Sequence, residues 1–123
     1  MCCAAALATL ELVENEYLAN VNRVGPYLLD AMRGLMQKYA VIGEVRGKGL
    51  WIGVEFVEDR QGRKPAHAFT ERLLHTAFHN GLLLLSCGSS TIRLMPPLMV
   101  GLETAREAVA ILDASIAETI AAG

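Results

Sequence analysis

The sequence predicts an α+β domain in which four short strands form one mostly antiparallel sheet, with helices packed on one side. Near both ends of the chain, apolar side chains recur at three- and four-residue steps, which is typical of helices. Between these segments the pattern changes to short runs of strand character, one of which alternates strictly. Glycine-containing turns join these runs in pairs, as they do in hairpins.

Two helices are predicted before the first strand, over residues 4–15 and 17–39. The second presents one apolar stripe, formed by Leu18, Val21, Leu28, Met32, Leu35, Met36 and Tyr39. Gly25 and Pro26 lie inside this helix. Because an interior proline lacks the amide hydrogen of a helical bond and its ring collides with the preceding turn, a kink or break is predicted there.

The first helix is apolar on nearly every face. Thr9 is the one polar side chain between Met1 and Leu10, and no capping residue precedes the helix. The mean hydropathy of +0.34 is also high for a domain of 123 residues. These features predict that other protein surface covers this helix and that the chain is part of a longer protein.

The remaining elements follow from changes of pattern. In the strand over residues 50–57, Leu50, Ile52, Val54 and Phe56 share one face, and Trp51, Gly53 and Glu55 share the other. The other predicted segments are a strand over 41–46, a turn over 47–49, a loop over 58–65, a helix over 66–80 that ends at Gly81, strands over 82–86 and 91–95 joined by a turn over 87–90, and a helix over 102–121.

Composition excludes several classes of function. The chain has 11 basic and 13 acidic side chains, a net charge of −2, so no charge excess favours a nucleic acid or an anionic membrane as partner. No apolar run approaches the roughly 20 residues that span a bilayer. Three cysteines without metal-ligand spacing predict a reduced, cytoplasmic protein.

Three patterns have a chemical interpretation and a structural one. The segment Arg46-Gly47-Lys48-Gly49 resembles a phosphate loop but leads into a strand pattern, so a hairpin turn is favoured. Glu71, His75 and His79 share one helix face, yet this face is predicted to be solvated and has no obvious fourth ligand. Cys87 has no paired base nearby in sequence, so an inert thiol is favoured.

Arg93 is the strongest candidate for a functional residue. It shares one strand face with Thr91 and Met95 in an otherwise apolar segment. A structural ion pair, or exposure to water at an edge, would explain the charge structurally. Binding of a carboxylate through two parallel hydrogen bonds would explain it functionally.

Several of these segments together resemble the C-terminal part of class III aminotransferases. They are Val45-Arg46-Gly47-Lys48-Gly49-Leu50, Gly81 to Gly88, Ile92-Arg93-Leu94-Met95-Pro96-Pro97-Leu98, and the Ala-rich stretch Cys3 to Ala8. The family comprises pyridoxal 5'-phosphate (PLP) enzymes such as 4-aminobutyrate, ornithine and acetylornithine aminotransferases. The similarity runs nearly end to end and preserves the order of the parts.

The resemblance implies a dimeric fold-type I enzyme that moves an amino group from an amino acid or amine to a 2-oxo acid. Residues 1–16 would be most of an interdomain helix and residues 17–123 the small C-terminal domain. The implied partners are a large PLP domain outside this chain, a second subunit, and the amino acid and 2-oxo acid substrates.

Within this chain, the resemblance assigns a role to Arg93 alone. In many members of the family the corresponding arginine binds the substrate α-carboxylate. The catalytic lysine lies upstream of the matching region, and neither Lys38, Lys48 nor Lys64 matches its motif. We therefore expect no catalytic, cofactor-binding or metal-binding residue in this chain, and no activity from it alone.

Two alternatives remain open at this stage. A PLP-dependent racemase or decarboxylase could be built on the same scaffold, since the residues that discriminate these reactions would lie in the large domain. The second alternative is a freestanding α+β binding or regulatory module without catalytic activity, although the apolar first helix argues against it.

Overall fold

A computed structural model describes all 123 residues and confirms the α+β class. The four helices and four strands are joined by short connections, and the first two helices are joined by a π-helical turn. In chain order the elements are α1 (Cys2–Leu12), the π segment (Val13–Tyr17), α2 (Leu18–Lys38), β1 (Ile42–Lys48), β2 (Trp51–Phe56), α3 (His67–His79), β3 (Leu85–Cys87), β4 (Thr91–Leu94) and α4 (Leu102–Ala121).

The strands form one antiparallel sheet in the order β1-β2-β4-β3. Ile52, Val54 and Phe56 are buried on the face of β2 that contacts the helices, whereas Trp51 is 65% exposed on the opposite face. This is the predicted alternation. Helices α2 and α3 contact the sheet and α4 packs against both of them, so the other face of the sheet remains open.

The core lies between the sheet and the three later helices. The Phe56 and Phe69 rings meet there with their centroids 5.4 Å apart. The fully buried side chains come from all of these layers and include Val24, Met32, Ile42, Ile52, Val54, Leu73, Ile92, Leu112 and Ile116. The last helix contributes Ala105, Leu112 and Ile116 to this core, and its Val109 is partly buried against them.

Of the predicted kink or break at Gly25 and Pro26, the break is wrong, because α2 is a continuous helix from Leu18 to Lys38, and the kink stays a prediction. Asn22, whose carbonyl loses its helical partner to Pro26, is exposed, so water can satisfy it. Gly25 has a different role. A Cβ on Gly25 would lie 2.7 Å from the carbonyl oxygen of Gly49, so glycine lets the helix backbone touch the β1–β2 turn.

Two strand boundaries also differ from the prediction. The β1–β2 turn consists of Gly49 and Leu50 rather than residues 47–49, with Gly49 at φ +58° as the first turn position. The strand predicted over 82–86 is β3 at Leu85–Cys87. The leucine run there has no alternation to fix its register, and pairing of Cys87 with Thr91 across the turn fixes it instead.

Helix α1 is exposed along its whole length, with Leu7 63% and Leu10 57% accessible. The π segment lies between it and α2, close to the predicted domain boundary at residue 16, and the division into residues 1–16 and 17–123 stays a prediction. No helix of the structure is both long and apolar enough to cross a membrane.

The end of α2 is fastened to α4 by Asp113. Lys38 Nζ donates to its two carboxylate oxygens at 2.7 and 2.8 Å, and the Tyr39 hydroxyl donates to Oδ1 at 2.5 Å. The hydrogen bond from Lys38, followed by that from Tyr39, lowers the pKa of Asp113 below its ordinary value of 3.8. The same contact with Asp113 raises the pKa of Lys38.

We expect Asp113→Asn to lower the unfolding temperature at pH 7 by roughly 3 °C, because it removes the negative charge that strengthens the hydrogen bonds from Lys38 and Tyr39. A carboxyl whose folded pKa is lowered stabilises the protein above its unfolded pKa, and this stabilisation is lost as pH falls through the folded value. Thermal unfolding from pH 7 down to pH 2.5 should therefore show the variant and the parent chain converging.

Asp30→Asn is the matched control, since Asp30 is an exposed carboxylate 3.4 Å from Arg33 and should contribute little. A difference between Asp113→Asn and the parent chain that stayed constant down to pH 2.5 would contradict the role of the Asp113 carboxylate.

Candidate functional site

The open face of the sheet carries a row of residues that pair across all four strands. Arg46 on β1 pairs with Gly53 on β2, Gly53 with Arg93 on β4, and Arg93 with Leu85 on β3. Paired residues in antiparallel strands point to the same face, so these four share it. Arg46, Gly53 and Arg93 border a shallow cavity of about 430 Å³, the outer groove. It is lined by Arg46, Gly47, Lys48, Trp51, Gly53, Cys87, Thr91 and Arg93.

Arg93 lies at the centre of this face and is half-buried. Strand β4 is an interior strand, so Arg93 is not at a sheet edge. Its guanidinium makes no hydrogen bond to the protein. No carboxylate oxygen lies within 4.0 Å of its nitrogens, which is the distance limit for an ion pair. Within this chain, neither an ion pair nor a position at a sheet edge accounts for the charge, and the guanidinium is available to bind an anion through two parallel hydrogen bonds.

The other two cations of the groove differ in their partners. Arg46 is neutralised locally by Glu55 at 3.0 Å and Glu44 at 3.3 Å. Lys48 is exposed beside the turn and has no ion-pair partner. An anion that enters the groove therefore meets two unpaired positive charges, and the more buried of them, Arg93, is less screened by water.

A second cavity, of about 260 Å³, lies on the other side of Arg93. Its lining is almost entirely apolar and includes Leu28, Met32, Leu84, Met95, Val100 and Leu112. Arg93 thus lies between a polar groove and an apolar cleft. This arrangement suits a small molecule that has a carboxylate and an apolar portion.

The other sequence candidates do not form a site. The segment from Arg46 to Gly49 is the end of a strand and its turn, as expected from the strand pattern that follows it. Glu71, His75 and His79 are exposed along α3, and no group of three metal-ligating side chains is present. Cys87 is an exposed free thiol at the edge of the outer groove.

Sequence reasoning missed the residues that surround Arg93. Gly53 becomes its direct neighbour, and Arg46 joins the same groove, only through the strand order β1-β2-β4-β3, which no local pattern reveals. One signal was present in the sequence. A glycine inside a strand can mark a place where a ligand or another backbone comes close.

The chain belongs to the class III aminotransferase family, because residues 1–116 match the family described as Aminotransferase class-III. It corresponds to the C-terminal portion of these PLP-dependent proteins. The resemblance inferred from the sequence is thereby confirmed.

Known relatives of the chain catalyse more than one kind of reaction. It is 38% identical to the alanine/serine racemase of Pyrococcus horikoshii, covering 95% of this chain and 25% of the racemase. It is 37% identical to the acetylornithine aminotransferase of Clostridium acetobutylicum, covering 94% of this chain and 28% of that enzyme. The chain therefore spans about a quarter of the length of these curated relatives.

Among solved structures, an amine transaminase from an uncultivated Pseudomonas species superposes with a TM-score of 0.85 at 40% identity. The superposition covers 95% of this chain and 27% of the transaminase, which was solved with PLP bound as an internal aldimine. The aminotransferase of Vibrio fluvialis, solved with PMP bound, superposes with a TM-score of 0.86 at 27% identity, over 97% of this chain and 27% of that one.

The residues of this chain do not fit the covalent site of PLP. An internal aldimine needs a lysine whose amine is readily deprotonated. The hydrogen bond from Lys38 to Asp113 raises the pKa of that lysine, and a hydrogen bond to Glu58 raises the pKa of Lys64. Lys48 is exposed at the β1–β2 turn, outside any apolar pocket.

Proposed function

We propose that the chain is the substrate-carboxylate-binding portion of a PLP-dependent transaminase, which moves an amino group from an amino acid or amine to a 2-oxo acid. The proposal rests on one observation: Arg93 is an unpaired, half-buried guanidinium between a polar groove and an apolar cleft. A bidentate contact would fix the position and orientation of a carboxylate substrate. The transaminases among the relatives support this assignment.

In this proposal the chain works together with surfaces that it does not contain. A large domain would hold PLP, and a second subunit would complete a homodimer. Residues 1–16 would link the large domain to the small domain formed by residues 17–123, which is consistent with the exposed apolar surface of α1. Three free, exposed cysteines support the expectation of a reducing, cytoplasmic compartment.

A racemase is the second candidate, because two curated relatives are racemases, at 38% and 33% identity. Arg93 would hold an amino acid carboxylate equally well in either reaction, so the two differ in their need for an acceptor. A transaminase converts an amino acid only when a 2-oxo acid is supplied, whereas a racemase inverts it without one. Chiral chromatography of reactions of the full-length enzyme, with and without pyruvate, separates them, and carbon dioxide release would indicate a decarboxylase.

We expect the 123-residue chain alone to form no internal aldimine with PLP, because its lysines are paired with carboxylates or fully solvated. Titration with PLP should give no saturable visible absorption band. Borohydride reduction followed by peptide mass spectrometry should show only low, scattered labelling of Lys38, Lys48 and Lys64. A stoichiometric adduct at one lysine would contradict the proposal that the Schiff-base lysine lies elsewhere.

A further inference from the structure

Gly53 is a glycine in the middle of β2 that the packing of this chain does not require. Its φ lies outside the left-handed region, and a Cβ added to it would meet Thr91 Cγ2 at 3.5 Å and Arg46 Cγ at 3.9 Å. These are ordinary van der Waals distances. Glycine nevertheless weakens a strand, because it has no side chain to pack and loses much backbone entropy on folding.

The other glycines of the sheet do have a packing reason. A Cβ on Gly43 would lie 2.7 Å from Val57 Cγ1, and one on Gly47 would collide with the carbonyl oxygen of Trp51 and lie 2.8 Å from Ile52 Cα. Of the three glycines, only Gly53 has room for a side chain in the folded chain. The space lies on the open face, within the outer groove.

The neighbours of Gly53 indicate what occupies this space. Arg46 lies one strand away on one side and Arg93 one strand away on the other, so Gly53 lies between two guanidinium groups. Glu44 and Glu55 neutralise Arg46, whereas Arg93 has no partner. A ligand above Gly53 is therefore attracted chiefly to Arg93. A guanidinium binds a carboxylate or a phosphate through two parallel hydrogen bonds, and the proposed substrates carry a carboxylate.

We propose that Gly53 is a specificity-determining residue that keeps open the space beside Arg93 into which the carboxylate end of an amino acid or 2-oxo acid fits. This inference rests on the proposed function of Arg93. It extends that function by assigning the floor of the carboxylate subsite to β2. A side chain at position 53 obstructs the carboxylate while leaving the fold intact.

The test is a size series in the full-length enzyme. Gly53→Ala should raise the KM for pyruvate about threefold and Gly53→Val more than tenfold, because each added methyl group intrudes further on the carboxylate. The inhibition constant of acetate, a carboxylate probe that needs no turnover, should rise in parallel. The unfolding temperature should stay the same or increase, because alanine fits the space and valine favours strands.

Gly34→Ala is the matched control. A Cβ at Gly34 meets nothing within 4 Å, and the residue lies on α2, outside both cavities, so KM and the acetate constant should not change. Unchanged constants in Gly53→Val would overturn the inference while leaving the role of Arg93 intact. Loss of PLP or of the oligomeric state in Gly53→Val would also overturn the inference. Such a loss would mean that another part of the enzyme, and not the substrate, fills the space beside Gly53. Normal kinetics in Arg93→Ala would instead refute the proposed function itself.

Discussion

Arg93→Ala is expected to lower kcat/KM for the 2-oxo acid by about 100-fold or more in the full-length enzyme, chiefly through KM. Loss of one partner of a desolvated ion pair costs about 2–5 kcal/mol, and the half-buried guanidinium has no other partner to lose. Arg93→Lys should recover only part of this loss, because an ammonium group cannot form the two parallel hydrogen bonds of a guanidinium.

Steady-state kinetics and thermal unfolding on the same purified variant decide the role of Arg93. Arg72→Ala is the control, since Arg72 is an exposed arginine on α3 without a hydrogen bond or ion pair. We expect nearly unchanged stability and PLP content in both variants, with a kinetic loss in Arg93→Ala alone. A lower unfolding temperature with normal kinetics would make Arg93 a structural residue.

Gly25→Ala is expected to destabilise the 123-residue chain by about 2 kcal/mol or more, the usual range for overpacking a tight contact. The added methyl group would lie 2.7 Å from a backbone oxygen of Gly49, which no rotamer change can move away. The helix or the β1–β2 turn must therefore shift. Urea unfolding should show a lower midpoint with an unchanged slope.

Gly34→Ala, in the same helix, is expected to have the opposite effect on the free energy of unfolding. Its added methyl group meets no neighbour within 4 Å, so alanine should stabilise α2 by up to about 1 kcal/mol through its higher helix propensity. If Gly25→Ala were as stable as Gly34→Ala, the close approach of α2 to the β1–β2 turn would be incorrect.

The periodic elements of the fold could be predicted from the sequence because their signals are local. The alternation of Ile52, Val54 and Phe56 fixed the buried face of β2, and Gly81 at φ +93° marked the end of α3. The last helix was predicted at residues 102–121, where it lies. Each of these depends on residues within one or two turns of each other.

Features that depend on distant parts of the chain could not be predicted. With Pro26, Gly25 indicates a kink or break from the sequence alone, because the residue that explains it, Gly49, lies in another element. The candidate site was predictable only at Arg93, from a charge inside an apolar strand and from the family resemblance. Its neighbours Arg46 and Gly53 are set by strand pairing, and whether a guanidinium has a carboxylate partner is a property of the folded chain.

The π segment between α1 and α2 has a mechanical consequence. Residues 2–38 form a continuous run of helical residues about 55 Å long, in which α2 packs against the core and α1 is exposed in this chain. A π turn interrupts the regular α-helical bonding, and such turns often occur at functional positions. A bend of about 10° within Val13–Tyr17 would move Met1 by about 4 Å. The conformation of these five residues therefore determines the direction of α1 relative to α2.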